Sequence, residues 1–223
     1  MRNEPVKIKN IEHLTHDVLH IVVDKPEDIK FHSGQATEIF IDKEGWRNEG
    51  RPFTFICLPE DKYLEFAIKT YPDRKGVTNE LLSLKEGDSL ILNDVFGAIE
   101  YKGKGTFIAG GAGVTPFISI IRNLDSQDSL KGNKLIFANK TQADIILREE
   151  FEELLKDDFI NILSEENNES YHHGQITAEF IKKHASSLDD YFYVCGPPPM
   201  MDAIRDQLSA LGVAKEKIVT EEF

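Results

Sequence analysis

The chain has very few cysteines, the residues that form disulfides and bind iron–sulfur clusters. Its 223 residues include two cysteines, Cys57 and Cys195, which lie far apart in the sequence. Two cysteines cannot supply a disulfide framework, a four-cysteine iron–sulfur cluster or a four-cysteine zinc site. The sequence therefore favours a reducing compartment, and we expect no metal site in this chain.

Long hydrophobic runs are also missing. Residues 1–10 alternate between polar and apolar side chains, and no later stretch is long and apolar enough to span a membrane. The 26 basic and 39 acidic residues give a formal net charge of -13, which repels nucleic-acid phosphates and anionic lipid surfaces. We expect a cytoplasmic protein with no nucleic-acid or membrane partner.

The first hundred residues contain short segments rich in β-branched and aromatic residues, separated mostly by Gly, Pro, Asn and Asp. This spacing predicts a small antiparallel β-barrel, interrupted by a short helix over 79–84. The predicted strands cover 6–11, 18–23, 37–41, 53–57, 63–69 and 89–92.

Beyond residue 102 the pattern changes to strands that alternate with amphipathic helices. Such alternation predicts an α/β domain with a parallel sheet and helices on its faces. We therefore predict two domains, covering residues 1–102 and 103–223. The predicted strands of the second domain cover 106–109, 134–138, 159–163 and 191–194.

A glycine-rich segment, Gly110-Gly111-Ala112-Gly113-Val114-Thr115-Pro116, lies between a predicted strand and a predicted helix. Glycines let backbone N–H groups approach a pyrophosphate, and a helix start offers donors and a favourable dipole. Thr115 is a candidate N-cap and Pro116 a candidate first helical residue. A tight turn without a ligand could give the same pattern.

A second motif, Cys195-Gly196-Pro197-Pro198-Pro199-Met200, follows the last long strand, at the edge where open α/β sheets bind ligands. The prolines predict a rigid turn, and Gly196 allows a flat ring to approach. A cysteine here could line a nicotinamide pocket, although a buried strand-end cysteine has the same appearance.

A third motif, Arg51-Pro52-Phe53-Thr54, begins a predicted strand of the barrel. Alternation along the strand places Arg51 and Phe53 on one side and Thr54 on the other. An arginine can bind phosphate bidentately, and an aromatic ring can stack on a flat ligand. Taken alone, these are ordinary strand residues.

Together these three motifs resemble those of the ferredoxin reductase superfamily, and the resemblance extends over essentially the whole chain. It implies an oxidoreductase that binds FAD, or less favourably FMN, in the barrel and NAD(P)H in the α/β domain. It also implies a phosphate-binding turn at Gly76-Val77-Thr78-Asn79 and a C-terminal aromatic residue, Phe223, that covers the flavin. The predicted cofactor-binding residues are Arg51, Pro52, Phe53, Thr54, Lys69, Gly76, Val77, Thr78, Asn79, Gly110, Gly111, Gly113, Thr115, Pro116, Lys140, Cys195, Gly196, Pro197 and Phe223.

The same resemblance implies a role for each of the principal residues. Arg51 would neutralise flavin phosphate, Phe53 would stack on the isoalloxazine, and Thr54 would hydrogen-bond near flavin N5, which receives the hydride. Cys195 and Glu221 complete the predicted catalytic group, although a solvated terminal acid is an equally good interpretation of Glu221.

Phe53 departs from the tyrosine that is usual in this family. The ring can still stack, but the phenol hydroxyl is absent, which costs on the order of 1 kcal/mol of flavin binding. Lys140 lies where the 2′-phosphate of NADPH would be, yet no arginine accompanies it. The choice between NADH and NADPH therefore stays open.

We expect an NAD(P)H-dependent flavoprotein reductase that passes electrons to a separate acceptor, either a ferredoxin- or flavodoxin-like protein or a small molecule. The acidic charge makes an acidic acceptor a poor electrostatic match. One alternative is an NAD(P)H:free-flavin reductase, which the Phe53 substitution makes credible. Another is a subunit that binds flavin and nucleotide without turnover.

Overall fold

The computed structural model describes residues 3–97 and 99–220. These residues form two compact units. The first unit comprises the described residues up to 97 together with 115–120, and the second comprises 99–114 and 121–220. The predicted boundary after residue 102 lies four residues beyond this change of unit.

The strands of the first unit are β1 (Glu4–Thr15), β2 (Val18–Asp24), β3 (Ala36–Ile41), β4 (Arg51–Thr54), β5 (Tyr63–Lys69) and β6 (Ser89–Phe96). They form a six-stranded antiparallel sheet with the order β4-β3-β6-β1-β2-β5. Between β5 and β6, a short helix, α1 (Val77–Glu80), continues into a 3-10 turn over Leu81–Ser83.

The sheet curls on itself as a barrel. Directly after β4, the Ile56 N–H donates to the Glu65 carbonyl on β5 over 2.9 Å, which links the two ends of the strand order. Alternate residues of β2 and β3, such as Ile21, Val23, Ile39 and Ile41, are buried in the barrel core. The antiparallel barrel inferred from the sequence is therefore confirmed.

The strands of the second unit are β7 (Gly105–Gly110), β8 (Lys134–Asn139), β9 (Phe159–Leu163), β10 (His172–His173), β11 (Tyr191–Cys195) and β12 (Ile218–Thr220). They form a six-stranded parallel sheet with the order β10-β9-β8-β7-β11-β12. Helix α2 (Thr115–Ser126) has its residues 115–120 in the first unit and the rest in the second, which also contains α3 (Arg148–Leu155), α4 (Ala178–His184) and α5 (Pro198–Ala210).

The two faces of this parallel sheet have separate cores. Ile136 and Ile162 share one face with Ile181 of α4 and Ile204 of α5. On the other face, Phe137 and Phe159 both contact Phe151 of α3, with ring centroids 6.5 and 5.3 Å apart. Burial on both faces explains why the strands are almost continuously apolar, as the sequence suggested.

Chain order and strand order together define a switch point. The chain runs outward from β7 through β8 and β9 to β10, and then returns to place β11 on the other side of β7. In open α/β sheets, ligands bind at the carboxyl ends of the strands where the order reverses. Here the carboxyl ends of β7 and β11 lead into the two glycine-containing motifs, which begin at Gly110 and at Cys195.

Several local predictions need correction. Helix α2 begins at Thr115 with Val114 as its N-cap, so Thr115 is the first helical residue and not the cap. Pro198 and Pro199 begin helix α5 instead of continuing the predicted turn. The first turn of a helix tolerates proline, because the N–H groups of that turn have no helical partner and the missing N–H costs no hydrogen bond. The short helix begins at Val77, two residues earlier than predicted.

Two short edge strands were missed. β10 has two residues and β12 has three, so neither offers a periodic pattern long enough to read from sequence. His172 and His173 form β10 and pair with Ile162 and Leu163.

The cysteines and the helix lengths can be described in the same residues. Cys57 and Cys195 are buried and neither is in a disulfide. Within residues 3–97 and 99–220, no helix combines the length and apolar character needed to cross a bilayer.

A histidine on the barrel lies between two carboxylates from neighbouring strands. His20 Nδ1 is 3.5 Å from Glu12 Oε1 on β1, and its Nε2 is 3.7 Å from Glu65 Oε2 on β5. The hydrogen bond with Glu65 raises the pKa of His20 above 6.5, against an opposing effect of burial. The protonated imidazole therefore links three adjacent strands.

The pH dependence of barrel stability should show this link. Because the pKa is raised in the folded state, the stabilisation is fully present below about pH 6.5 and is lost as pH rises through the folded pKa. We expect His20→Gln to lower the free energy of unfolding by about 0.5 kcal/mol at pH 5.5 and by less at pH 8.5. Urea unfolding at both pH values measures this, with the exposed His32→Gln as control. An equal loss at both pH values would contradict the assignment.

Candidate cofactor-binding sites

The predicted flavin-binding residues of strand β4 become more buried along the strand. It pairs with β3, with Phe53 opposite Thr37 and Thr54 opposite Ala36. Arg51 and Pro52 are exposed, Phe53 is half-buried, and Thr54 is 8% exposed. Phe53 packs against the barrel core, which holds its ring in place while part of it stays accessible. A ring held this way suits a stacking platform for a flat ligand.

Among the described residues, the Arg51 guanidinium contacts its neighbours in sequence. Its Nη1 donates to the Gly50 carbonyl over 2.6 Å, and its Nη2 lies 3.7 Å from Glu49 Oε2. The Arg51 and Glu49 side chains are each about half exposed. An exposed pair of this kind contributes little stability, so a phosphate could displace Glu49 at small cost.

The predicted phosphate-binding turn lies at the start of α1. Gly76 is the N-cap, and its carbonyl accepts from the Asn79 and Glu80 N–H groups. The N–H groups of Val77 and Thr78 have no helical carbonyl partner, as at any helix start. A Cβ atom built on Gly76 meets no atom within 4 Å. The turn therefore leaves an open approach beside its backbone donors.

A charged side chain fixes this turn to the rest of the barrel. The Lys43 ammonium, from the segment after β3, donates to the Glu80 carboxylate at the end of α1, and the Ser83 hydroxyl donates to the same carboxylate over 3.0 Å. The Lys43 hydrogen bond holds the pKa of Glu80 below its usual range. The short helix is thus anchored by the segment that follows β3.

Lys69, at the end of β5, forms an ion pair within the barrel. Its ammonium lies 2.6 Å from Asp17 Oδ2, and both side chains are about three-quarters buried or more. The Asp17 carbonyl also accepts from the Thr70 N–H over 2.7 Å. Lys69 is therefore held by the barrel's own loop between β1 and β2, and its contact with a cofactor stays a prediction.

In the second unit the two glycine motifs lie directly against each other. A Cβ atom on Gly113 would lie 2.6 Å from the carbonyl carbon of Cys195, and one on Gly196 would lie 3.2 Å from Gly110 N. A Cβ atom on Gly110 would lie 3.0 Å from Pro197 Cδ. Real Cβ atoms do not tolerate the closest of these approaches. The glycines are therefore needed for the turn after β7 to pack against the turn after β11.

The opposite side of the first turn is open. Gly111 begins a 3-10 turn (Gly111–Val114) with φ of +51°, a left-handed conformation that favours glycine. A Cβ atom on Gly111 would meet no atom within 4 Å. One side of the turn is thus packed and the other is accessible, as a backbone cradle for a phosphate requires.

The remaining predicted residues at this edge are mostly buried. Cys195 is 4% exposed at the end of β11, and its role in lining a nicotinamide pocket stays a prediction. Thr115 is 9% exposed, and Pro116 is buried in the first turn of α2. Glu221 and Phe223 lie outside the described residues.

Lys140, directly after β8, is surrounded by acids that the sequence did not single out. Its ammonium lies 2.9 Å from Glu165 Oε1, which raises the pKa of Lys140. The Thr141 N–H donates to Asp144 Oδ2 over 2.8 Å, and the Gln142 N–H donates to Glu166 Oε2 over 2.7 Å. The Thr-x-x-Asp spacing could have revealed the Asp144 cap. No local signal reveals Glu166, which reaches back from the loop after β9.

Comparison with known proteins agrees with this division of roles. Residues 3–103 match the model of an FAD-binding domain, and residues 107–206 match the model of an oxidoreductase NAD-binding domain. The chain is 33% identical over 221 residues to NADH-cytochrome b5 reductase 2 of Mycosarcoma maydis, covering 88% of this chain and 62% of that protein. It is 32% identical over 236 residues to NADH-cytochrome b5 reductase 1 of Aspergillus terreus, covering 96% and 79%.

Among solved structures, the fold is similar to the flavohem-like FAD/NAD-binding domain of the nitric oxide dioxygenase from Vibrio cholerae. The TM-score is 0.88 at 22% identity, with 100% of this chain and 99% of that chain covered. At this identity the likeness concerns the fold.

The chain belongs to the ferredoxin reductase superfamily. It is a flavoprotein oxidoreductase that binds FAD in its barrel unit and a nicotinamide nucleotide in its α/β unit. The predicted class, an NAD(P)H-dependent reductase with a separate electron acceptor, is confirmed.

The barrel residues fit FAD on structural grounds. A half-buried ring (Phe53), a buried hydroxyl (Thr54) and an open backbone turn (Gly76) all belong to one unit. When bound, FAD supplies a ring system that accepts a hydride and can release its two electrons separately. The protein's contribution is to hold that ring and its phosphates.

Flavin retention should depend on the residue at position 53. Phe53→Tyr adds a hydroxyl to the stacking ring, and we expect it to lower the Kd for FAD severalfold, equivalent to about 1 kcal/mol. Fluorescence titration of the apoprotein measures this, with the exposed Phe96→Tyr as a matched control. The visible spectrum of the wild-type protein after extensive dialysis gives the baseline. An unchanged Kd in the Phe53→Tyr variant, or an equal change in the control, would contradict a hydrogen bond between a tyrosine hydroxyl at position 53 and the flavin.

The phosphate turn can be tested at Gly76 without disturbing the fold. Its φ of -150° is extended, and an added Cβ meets nothing, so Gly76→Ala should leave the melting temperature of the apoprotein unchanged. If a phosphate approaches this backbone, the methyl group should raise the Kd for FAD about tenfold. Unchanged FAD affinity would place the phosphates elsewhere.

Proposed function

We propose that this chain is an NADH-preferring reductase, which takes a hydride from NADH onto FAD and passes the electrons to an acceptor outside these 223 residues. The observation that carries the preference is a group of carboxylates that contact the segment after β8, formed by Asp144 of that segment and by Glu165 and Glu166 of the loop after β9.

The reasoning starts from where a 2′-phosphate would lie. In this class of fold the adenosine ribose reaches the end of the second strand of the nucleotide domain, which here is β8. A 2′-phosphate would add charge of about -2 at that point and would need cations or free N–H groups. The 2′-hydroxyl of NADH needs neither.

The chain offers such a phosphate poor binding partners. The nearby cation, Lys140, is already paired with Glu165, and the N–H groups of Thr141 and Gln142 donate to carboxylates. Lys140 is exposed and could turn toward a ligand, but the three carboxylates would remain and would repel the 2′-phosphate. NADH avoids this repulsion. The cytochrome b5 reductases to which the chain is similar also carry NADH in their names.

The acceptor must lie outside this part of the molecule. The chain has two cysteines and therefore no four-cysteine cluster of its own to carry electrons onward. Its net charge of -13 favours an acceptor that presents basic side chains over an acidic one.

The donor preference can be measured directly. We expect kcat/KM to be higher for NADH than for NADPH, with ferricyanide as a non-physiological acceptor. The double variant E165Q/E166Q removes two negative charges while keeping hydrogen-bonding groups in place. It should raise kcat/KM for NADPH about tenfold and leave NADH within about twofold.

The control for this experiment is Glu169→Gln, which removes one charge from an exposed position of the same loop. It should change neither value. A wild-type protein that uses NADPH as well as NADH would refute the proposed preference, whatever the variants do.

A further inference from the structure

A methionine thioether lies against both glycine turns of the α/β unit. Met200, the third residue of α5, places its Sδ 2.4 Å from a Cβ atom built on Gly110 and 3.2 Å from one built on Gly196. The Met200 N–H donates to the Pro197 carbonyl over 2.9 Å, which ties this residue to the turn after β11. The thioether therefore occupies the space that Gly110 and Gly196 leave free by having no side chain.

Exposure distinguishes Met200 from the methionine that follows it. Met200 is partly buried, and residues 197–199 directly before it are exposed. Met201 is 7% exposed and belongs to the core of the α/β unit. Met1 lies outside the described residues. Small molecules in the solvent can therefore reach the side chain of Met200, whereas the core largely excludes them from Met201.

A partly exposed thioether can be oxidised by a peroxide. The sulfur loses two electrons, the O–O bond of hydrogen peroxide breaks, one oxygen atom bonds to the sulfur and the other leaves as water. The product, methionine sulfoxide, is polar, and it is reduced back to methionine by methionine sulfoxide reductases. It also has one more heavy atom than the thioether.

The surroundings of Met200 suit the thioether and not the sulfoxide. The sulfur is packed against backbone at Gly110 and Gly196, and an added atom in a closely packed site forces the backbone to shift. Gly110 leads directly into the turn whose open side, at Gly111, is the predicted pyrophosphate cradle. A shift at Gly110 therefore displaces the backbone N–H groups that a phosphate would need.

We propose that Met200 is an oxidation-sensitive site, at which conversion to the sulfoxide by a peroxide weakens binding of the nicotinamide dinucleotide. Oxidation then slows the entry of hydride into the enzyme while FAD stays bound in the barrel unit. The inference goes beyond the proposed donor preference, because it applies to whichever nicotinamide donor the protein uses.

The two cysteines are less accessible to peroxide than Met200 is. Cys57 is fully buried, and burial raises the pKa of its thiol to about 12, so the reactive thiolate is scarce. Cys195 is 4% exposed. Dithiothreitol reverses sulfenic acids and disulfides but leaves methionine sulfoxide in place, and it therefore separates the two kinds of oxidation.

The first test treats the FAD-loaded protein with hydrogen peroxide and then with dithiothreitol. Peptide mass spectrometry should find the added oxygen atom on Met200 well before Met201. We expect KM for NADH to rise about tenfold relative to the untreated sample, with kcat within about twofold and flavin content unchanged. Incubation with methionine sulfoxide reductase should then restore the original KM.

Adjacent methionines supply a matched pair of variants. Met200→Leu cannot take up oxygen and should lose the effect of peroxide, whereas Met201→Leu should keep it, each compared with its own untreated sample. Leucine has a similar volume, so both variants should fold. Met200→Gln places a polar group against the two turns without any oxidant and should raise KM for NADH by itself.

Several results would overturn the proposal. They are a loss of activity that persists in Met200→Leu, recovery with dithiothreitol alone, sulfoxide at Met200 with an unchanged KM, an unchanged KM in Met200→Gln, or resistance of Met200 under conditions that oxidise free methionine. If the protein prefers NADPH, the same comparison is made with NADPH. Failure of the proposed donor preference therefore leaves this test intact.

Discussion

The nucleotide site depends on one close backbone approach, between the turn after β7 and the turn after β11. Gly113 lies so near the Cys195 carbonyl that any side chain would collide with it. This contact packs the turn from one side and leaves Gly111 open on the other. Without it, the donors at the start of α2 would have no fixed position, and binding energy would be lost in ordering them.

The same switch point organises the rest of the unit. Because β11 returns to the opposite side of β7, the glycine turn is flanked by Cys195–Pro197 on one side and by the end of β8 on the other. The end of β8 then places a neutral amide, Asn139, before a group of acids. A single topological reversal thus brings the two glycine motifs and the end of β8 to the same edge of the sheet.

The barrel also holds its predicted binding residues in place by internal packing. Its sheet buries an apolar core, which anchors Phe53 from behind, while the Lys43–Glu80 link anchors the phosphate turn. Both of these predicted binding elements are therefore held by contacts within the barrel. Preorganisation of this kind reduces the entropy lost on binding.

The fold class and the motif positions could be read from the amino-acid sequence alone, because strand and helix periodicity and glycine-rich turns are local signals. Gly110–Pro116, Cys195–Pro197 and Arg51–Thr54 were placed on the right elements, although the cap at Thr115 and the proline turn were wrong. The groups that surround these motifs are set by tertiary packing. Three examples depend on residues that are distant in sequence or on local packing. They are the ion pair of Lys69 with Asp17, the hydrogen bond from the Gln142 N–H to Glu166, and the unpaired side-chain amide of Asn139. Local sequence carries no record of such partners, since they are fixed by how strands align across a sheet.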